Sequence, residues 1–175
     1  MASGWAFFQA KKDTKMSKEL IQQVTAPNGS MFTGSGTNSY LIGREDITLV
    51  DPGPKIDEHI DKLIKLGEGK IKRILVTHTH RDHSPAAKVI GEILNVPLMG
   101  RLVEKDDTLQ DKTFKPERFL GHGDLIETAE YTIESIHTPG HASNHLCFLI
   151  REEKAMLTGD PVSYTHLTLP TTPYV

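Results

Sequence analysis

His78, His80, Asp82 and His83 fall within six consecutive positions, in the stretch ILVTHTHRDHSP at residues 74–85. Imidazole nitrogen and carboxylate oxygen are the ligands that zinc takes in catalytic sites. His78 and His80 stand two apart directly after a strand-like run, where alternate side chains share a face. A loop before Pro85 would let Asp82 and His83 swing to an adjacent point, so the cluster suits two neighbouring divalent cations. Solvated histidines on a polar loop would need no such spacing.

The elements that must hold this cluster are short. LIQQVT at 20–25 and YLI within 39–43 read as strands separated by the Gly/Ser-rich turn NGSMFTGSGTN. Ile47–Val50 is a third strand, stopped by DPGP. Ile56, Ile60, Leu63 and Ile64 recur at helical spacing, and Gly67 and Gly69 end that helix. Ile74–Val76 is the strand that delivers the histidines. Pro85 suits the first turn of a second helix, with Val89, Ile90, Ile93 and Leu94 as its apolar stripe. Beyond Val96 the pattern becomes β runs: VPLMG, RFL, DLIE, YTIESI and LCFLI. Strands and helices in alternation, then mostly strands, argue for sheets covered by helices rather than a bundle.

At 175 residues the chain suits one domain with a sizeable core. The net charge of -3 shows no basic footprint for nucleic acid, although a local basic groove is compatible with it. Cys147 is the only cysteine, so no disulfide can close within the chain. No apolar run approaches the ~18 residues of a membrane span. Residues 1–15 read as a loose extension ahead of Met16, an alternative start, with no basic residues before their apolar patch as a secretory signal would have. The expected location is cytoplasmic, with no membrane partner.

THTHRDH at 77–83 resembles the signature of the metallo-β-lactamase-fold hydrolases. LVDPG at 49–53, HTPGH at 137–141 and LTGD at 157–160 follow in that family's order, and GSGTNSYLIG resembles its endoribonuclease branch. The resemblance spans about residues 20–160 and implies an α/β (α+β) fold, the N-terminal portion of a four-layer αββα sandwich. It implies that His78, His80 and His141 bind one metal, that Asp82 and His83 bind a second, and that Asp160 bridges them. Gly140 and Gly159 would permit close backbone approach. Two divalent ions, zinc by ligand type, would lower the pKa of a bound water to about 7 and supply hydroxide at neutral pH. Asp82 would also orient that hydroxide, giving it a catalytic role. Asp51 would support the metal loops, and His137 would brace the TPG turn.

The remaining candidates read more plainly. His59 is expected on the solvated side of its helix, His122 in a glycine-rich turn, and His145 as a satisfied near-core side chain. Cys147 reads as an apolar strand residue, and Ser84 has no triad around it. The function implied is metal-dependent hydrolysis, first of a phosphodiester in single-stranded RNA. A small-molecule thioester, as in the glyoxalase II (hydroxyacylglutathione hydrolase) branch, is the alternative. Iron-based redox chemistry on the same ligands and a non-catalytic scaffold are further readings.

After Asp160 the chain continues as PVSYTHLTLPTTPYV, with no helical period and four threonines. Residues 161–175 are expected to be a non-native tail, His166 within them not a ligand, and residues 16–160 a truncated domain. Truncation carries two expectations: a second metal site short of one histidine, and a first sheet without a partner sheet to pack on.

Overall fold

The computed structural model of the protein describes residues 20–103 and 108–160. The extension at 1–15, Met16, and the tail at 161–175 with His166 lie outside the described residues. A six-stranded sheet runs β1 (Ile21–Thr25), β2 (Asn38–Ile42), β3 (Ile47–Val50), β4 (Ile71–Leu75), β5 (Leu98–Gly100) and β6 (Arg118–Phe119), in that spatial order. The first three strands pair antiparallel, and β3 through β6 pair parallel. Parallel neighbours require crossovers. Helix α1 (Asp57–Leu66) supplies the first and α2 (Pro85–Leu94) the second.

Both helices cover one face of this sheet. Ile60 and Leu63 of α1 and Ala86, Ala87 and Ile90 of α2 pack on Leu41, Leu49, Ile74 and Leu98. Leu63 and Ile90 are wholly buried, and each such side chain is worth about 1.5–3 kcal/mol in transfer from water. The α2 stripe is rotated from the expected one. Ile93 is 59% exposed, and the buried face is Ala86, Ala87, Ile90 and Gly91. Small residues there let the helix sit close to the sheet: a Cβ on Gly91 would meet Leu98 at 2.9 Å. Strand β4 also begins earlier than the apolar run indicated. Lys72 faces solvent, and Arg73 is absorbed by Asp46, Thr48 and Tyr131, so two polar residues lie inside a paired strand.

The other face of the six-stranded sheet does have a partner, contrary to the expectation of an unpaired sheet. Strands β7 (Leu125–Glu127), β8 (Thr132–His137), β9 (Leu146–Ile150) and β10 (Ala155–Leu157) form an antiparallel sheet in the order β10-β9-β8-β7. Ile42, Val50 and Leu75 of the first sheet meet Ile133, Leu146, Phe148 and Leu157 of the second. The chain supplies its own second layer because the β runs after Val96 fold back across the sheet rather than extending it. The described residues thus make helix, sheet and sheet, three of the four layers expected. No described helix is long and apolar enough to cross a membrane.

The strand directions decide where the chemistry collects. The C-terminal ends of β3 and β4, the β8–β9 connection and the end of β10 all meet at one edge of the sandwich. The Leu146 amide donates to the Thr77 carbonyl at 2.7 Å, tying the two sheets together there.

Candidate metal centre

Each strand end contributes one piece. Asp51 follows β3, residues 77–83 follow β4, His141 lies in the β8–β9 connection, and Asp160 follows β10. His78 and His80 sit beyond the end of β4 rather than on its face, yet they still converge. His78 Nε2 lies 3.1 Å from His80 Nδ1, and His141 Nε2 lies 2.9 Å from the same atom. Ligand atoms of His78, His80 and His141 lie within 4.8 Å of one another, as do those of His78, His83 and Asp160. His83 Nε2 is 3.4 Å from Asp160 and 3.5 Å from Asp82. Asp82 therefore reaches His83 at the rim without joining either trio.

Asp51 organises both groups. It is 2% exposed, and its carboxylate accepts the Thr77 amide at 2.7 Å, the Thr77 hydroxyl at 2.7 Å and His83 Nδ1–H at 3.0 Å. The Thr77 hydroxyl has spent its only proton on Asp51. It can only accept at its 3.1 Å contact with His78 Nδ1, which must then carry the hydrogen. His78 Nε2 is left as a bare lone pair facing His80 and His141. His83 is oriented the same way, with Nδ1–H on Asp51 and Nε2 toward Asp160. One buried carboxylate aims two imidazoles, the usual means by which a metal-binding histidine is fixed.

The charge balance fits a cation. Burial and the neighbouring imidazoles push His78 far below its ordinary pKa, so it stays neutral. Burial opposes charge on His83 too, but Asp51 and Asp160 outweigh it and push its pKa up to about 10. The hydrogen bond from His83 holds Asp160 below the usual carboxylate range, against the effect of burial. The pocket thus has the neutral His78 nitrogen on one side and carboxylates demanding positive charge on the other. Nitrogens bound to a tetrahedral zinc at ~2.0–2.1 Å stand roughly 3.3 Å apart. The 2.9 and 3.1 Å pairs would have to part only slightly.

A pH prediction follows for the metal-free protein. His83, raised in the fold, contributes stability that is full below its unfolded value near 6.5 and is lost as pH rises toward about 10. His78, His59 and His145 are lowered, mainly by burial, so their contribution is full above about 6.5 and is lost as pH falls. Melting temperature in the presence of a chelator should peak near neutrality and fall on both sides. Added zinc should flatten the alkaline fall, and a featureless profile would contradict these charge states.

Gly159 lets the Asp160 loop close on the site. Its φ is +56°, and a Cβ there would meet Thr77 Oγ1 at 2.7 Å. His137 Nε2 contacts the Ser143 carbonyl at 2.9 Å, spanning the loop that carries His141. His59 is a correction: it is 1% exposed, not solvated, with Nε2 3.0 Å from Ser39 Oγ and its ring beneath Gly53. The first turn of α1 tucks under the DPG turn, so the polar side of that helix is not a solvent side. His122 lies in a turn, as expected, and is exposed. His145 is buried with Nδ1 on Thr138, but its Nε2 has no partner among the described residues, so it is not fully satisfied. Ser84 donates to Asp111 at 2.8 Å and to the His80 backbone carbonyl at 3.4 Å, and none of its described hydrogen bonds reaches an imidazole.

A cavity of about 180 Å³ opens beside Asp82, His83 and Asp160, with Phe32, Tyr40 and Met156 on its walls. Sequence reasoning missed these walls, and missed Thr77 as the link from Asp51 to His78. The threonine was visible in THTH, but its partner lies 26 residues away in sequence.

The metallo-beta-lactamase superfamily profile matches residues 32–171. The chain belongs to the metallo-beta-lactamase superfamily. It is 33% identical over 147 residues to the atrochrysone carboxyl ACP thioesterase of Aspergillus chevalieri, covering 81% of this chain and 45% of that protein. It is 31% identical over 156 residues to the lactamase-like protein ptaB of Pestalotiopsis fici, covering 86% and 47% respectively. The chain spans about half the length of these relatives. The fold is also similar to that of the subclass B3 metallo-beta-lactamase BJP-1 of Bradyrhizobium japonicum, with TM-score 0.57, 24% identity and coverage of 67% of this chain and 51% of that one. A metallo-beta-lactamase mutant from Cronobacter sakazakii superposes with TM-score 0.63 at 16% identity, covering 77% and 58%.

Proposed function

We propose that this superfamily member is part of a metal-dependent hydrolase acting on a thioester. The observation that carries the reading is the convergence of His78 Nε2, His80 Nδ1 and His141 Nε2, with Asp51 and Thr77 fixing the bare nitrogen of His78. His78, His80 and His141 would hold one divalent ion, and His83 and Asp160 a second, with Asp82 drawn in from the rim, zinc being the best match to nitrogen and carboxylate donors. Such ions supply an acidified water and a Lewis acid for a carbonyl oxygen.

The chain's own groups do the rest. Asp82, with a side chain about one-third exposed, stands at the mouth where it can accept a hydrogen bond from the attacking water. Asp160 lies between His83 and His141, at 3.4 and 3.8 Å, and would hold the two ligand groups in register. Phe32, Tyr40 and Met156 add aromatic and apolar side chains to a cavity whose lining is otherwise mainly polar. The thioesterase relative moves the thioester ahead of the phosphodiester, reversing the order that the sequence motifs favoured. The test is to load the purified chain with zinc, measure bound metal, and assay an acyl thioester beside an aryl phosphodiester. Tight zinc with faster thioester turnover is expected. A chain that holds no zinc, or that cleaves only the phosphodiester, would overturn the reading.

A further inference from the structure

The histidines of the first trio come from two different loops, and something must set the distance between them. His78 and His80 sit after β4, whereas His141 sits 61 residues from His80 in the β8–β9 connection. Thr79, between the two histidines of the first loop, is 2% exposed, and Asn144, three residues beyond His141, is wholly buried. Asn144 Nδ2 donates to Thr79 Oγ1 at 2.8 Å and to the Arg101 carbonyl at 2.8 Å. The Thr79 hydroxyl donates in turn to Gln110 Oε1, through a short hydrogen bond.

The segment around Gln110 is itself fastened to the metal loop. The Asp111 amide donates to the Thr79 carbonyl at 2.6 Å, His80 and Gln110 form a β-bridge, and Ser84 Oγ donates to the Asp111 carboxylate. Thr79 is therefore held on its backbone and its side chain by one loop, and on its hydroxyl by the other. Asn144 Oδ1 is buried without a partner among the described residues. Such an orphaned buried acceptor is destabilising. An apolar side chain of that volume would fill the space without this cost, so the value of Asn144 lies in its amide donor.

We infer that Asn144, Thr79 and Gln110 form a clasp that positions His80 against His141 and so tunes the three-histidine site. They are positioning residues: none of them reaches the ligand nitrogens. The inference rests on the metal reading of that site.

Three variants test it. Thr79→Val and Asn144→Asp keep shape but remove the hydroxyl and the amide donor, and Thr79→Ser keeps the hydroxyl. Zinc affinity is read by competition with a chromophoric chelator, and ligand geometry by the absorption spectrum of the cobalt-loaded protein. Thr79→Val and Asn144→Asp should each weaken zinc binding by ~10–100-fold and shift the cobalt spectrum at saturating metal. Thr79→Ser should restore both. Should Thr79→Val fail to fold, Gln110→Met reads the same hydrogen bond from the other loop and should behave alike. Wild-type affinity and spectrum in these variants would overturn the clasp alone. A wild-type chain that binds neither ion would overturn the metal reading beneath it.

Discussion

Replacing His80 with alanine is expected to abolish tight metal binding at the three-histidine trio and to remove hydrolysis with it. His80 Nδ1 is the atom the other two nitrogens share, at 3.1 Å from His78 and 2.9 Å from His141. Its loss leaves His78 Nε2 and His141 Nε2 without the donor between them. Supporting residues around metal sites typically cost 10–100-fold in affinity when mutated, so removing a donor itself should cost roughly 100-fold or more. Zinc competition titration measures the first loss and thioester turnover the second. His122→Ala is the appropriate control, because His122 is exposed in a turn and belongs to neither trio. His59→Ala is not a control. That imidazole is buried beneath the DPG turn and bonded to Ser39, so its truncation should lower stability and disturb Asp51 indirectly. Undiminished zinc affinity in His80→Ala would sink the assignment of the trio.

How legible the site was in the sequence depends on whether its parts were local. HTHRDH announced itself because six adjacent residues carried the spacing, whereas His141 and Asp160 were named only by the resemblance of HTPGH and LTGD to the family's motifs. Both helices were legible from their apolar period, and Gly67 and Pro85 marked their ends. The rotation of α2 was not legible, because Val89, Ile90, Ile93 and Leu94 fit a stripe just as well. Only the close approach of Gly91 to Leu98 selects the face that the helix buries. His59 misled for a related reason: helical spacing gives the side of a helix, but not which loop lies over it. The clasp was invisible, since Thr79, Gln110 and Asn144 are ordinary polar residues 31 and 65 positions apart along its two bonds. The resemblance of GSGTNSYLIG put the phosphodiester ahead of the thioester, but the ligand set itself reports the metal and not the group that is cleaved.

Asp51→Asn should be nearly as damaging as loss of a ligand, though Asp51 touches neither trio's centre. Its φ is +46°, a left-handed conformation that asparagine tolerates as well as aspartate, so the exchange adds little backbone strain. What changes is one atom. Asp51 Oδ2 accepts from both Thr77 Oγ1 and His83 Nδ1, and Oδ1 accepts from the Thr77 amide. An amide nitrogen in the Oδ2 position would face two donors. Thr77 would have to turn, accept from it, and donate its own hydroxyl hydrogen bond to His78 Nδ1. That moves the hydrogen of His78 to Nε2, the nitrogen that the metal needs. His83 would lose the carboxylate acceptor that fixes its Nδ1–H and leaves Nε2 for the metal. Flipping the amide only transfers the conflict to the Thr77 amide. Both ligand groups should therefore lose affinity together, by about 100-fold, at the upper end of what supporting residues cost. Because Asp51 is the largest influence raising His83, the alkaline fall in the stability of the metal-free protein should also shrink. Nitrogen NMR of the metal-free protein offers a direct check, with His78 Nε2 unprotonated in the parent and protonated in Asp51→Asn. If the tautomer reverses but zinc affinity does not fall, the nitrogen that binds metal is not the one Asp51 exposes. If neither changes, the chain from Asp51 through Thr77 to His78 does not set the donor at all.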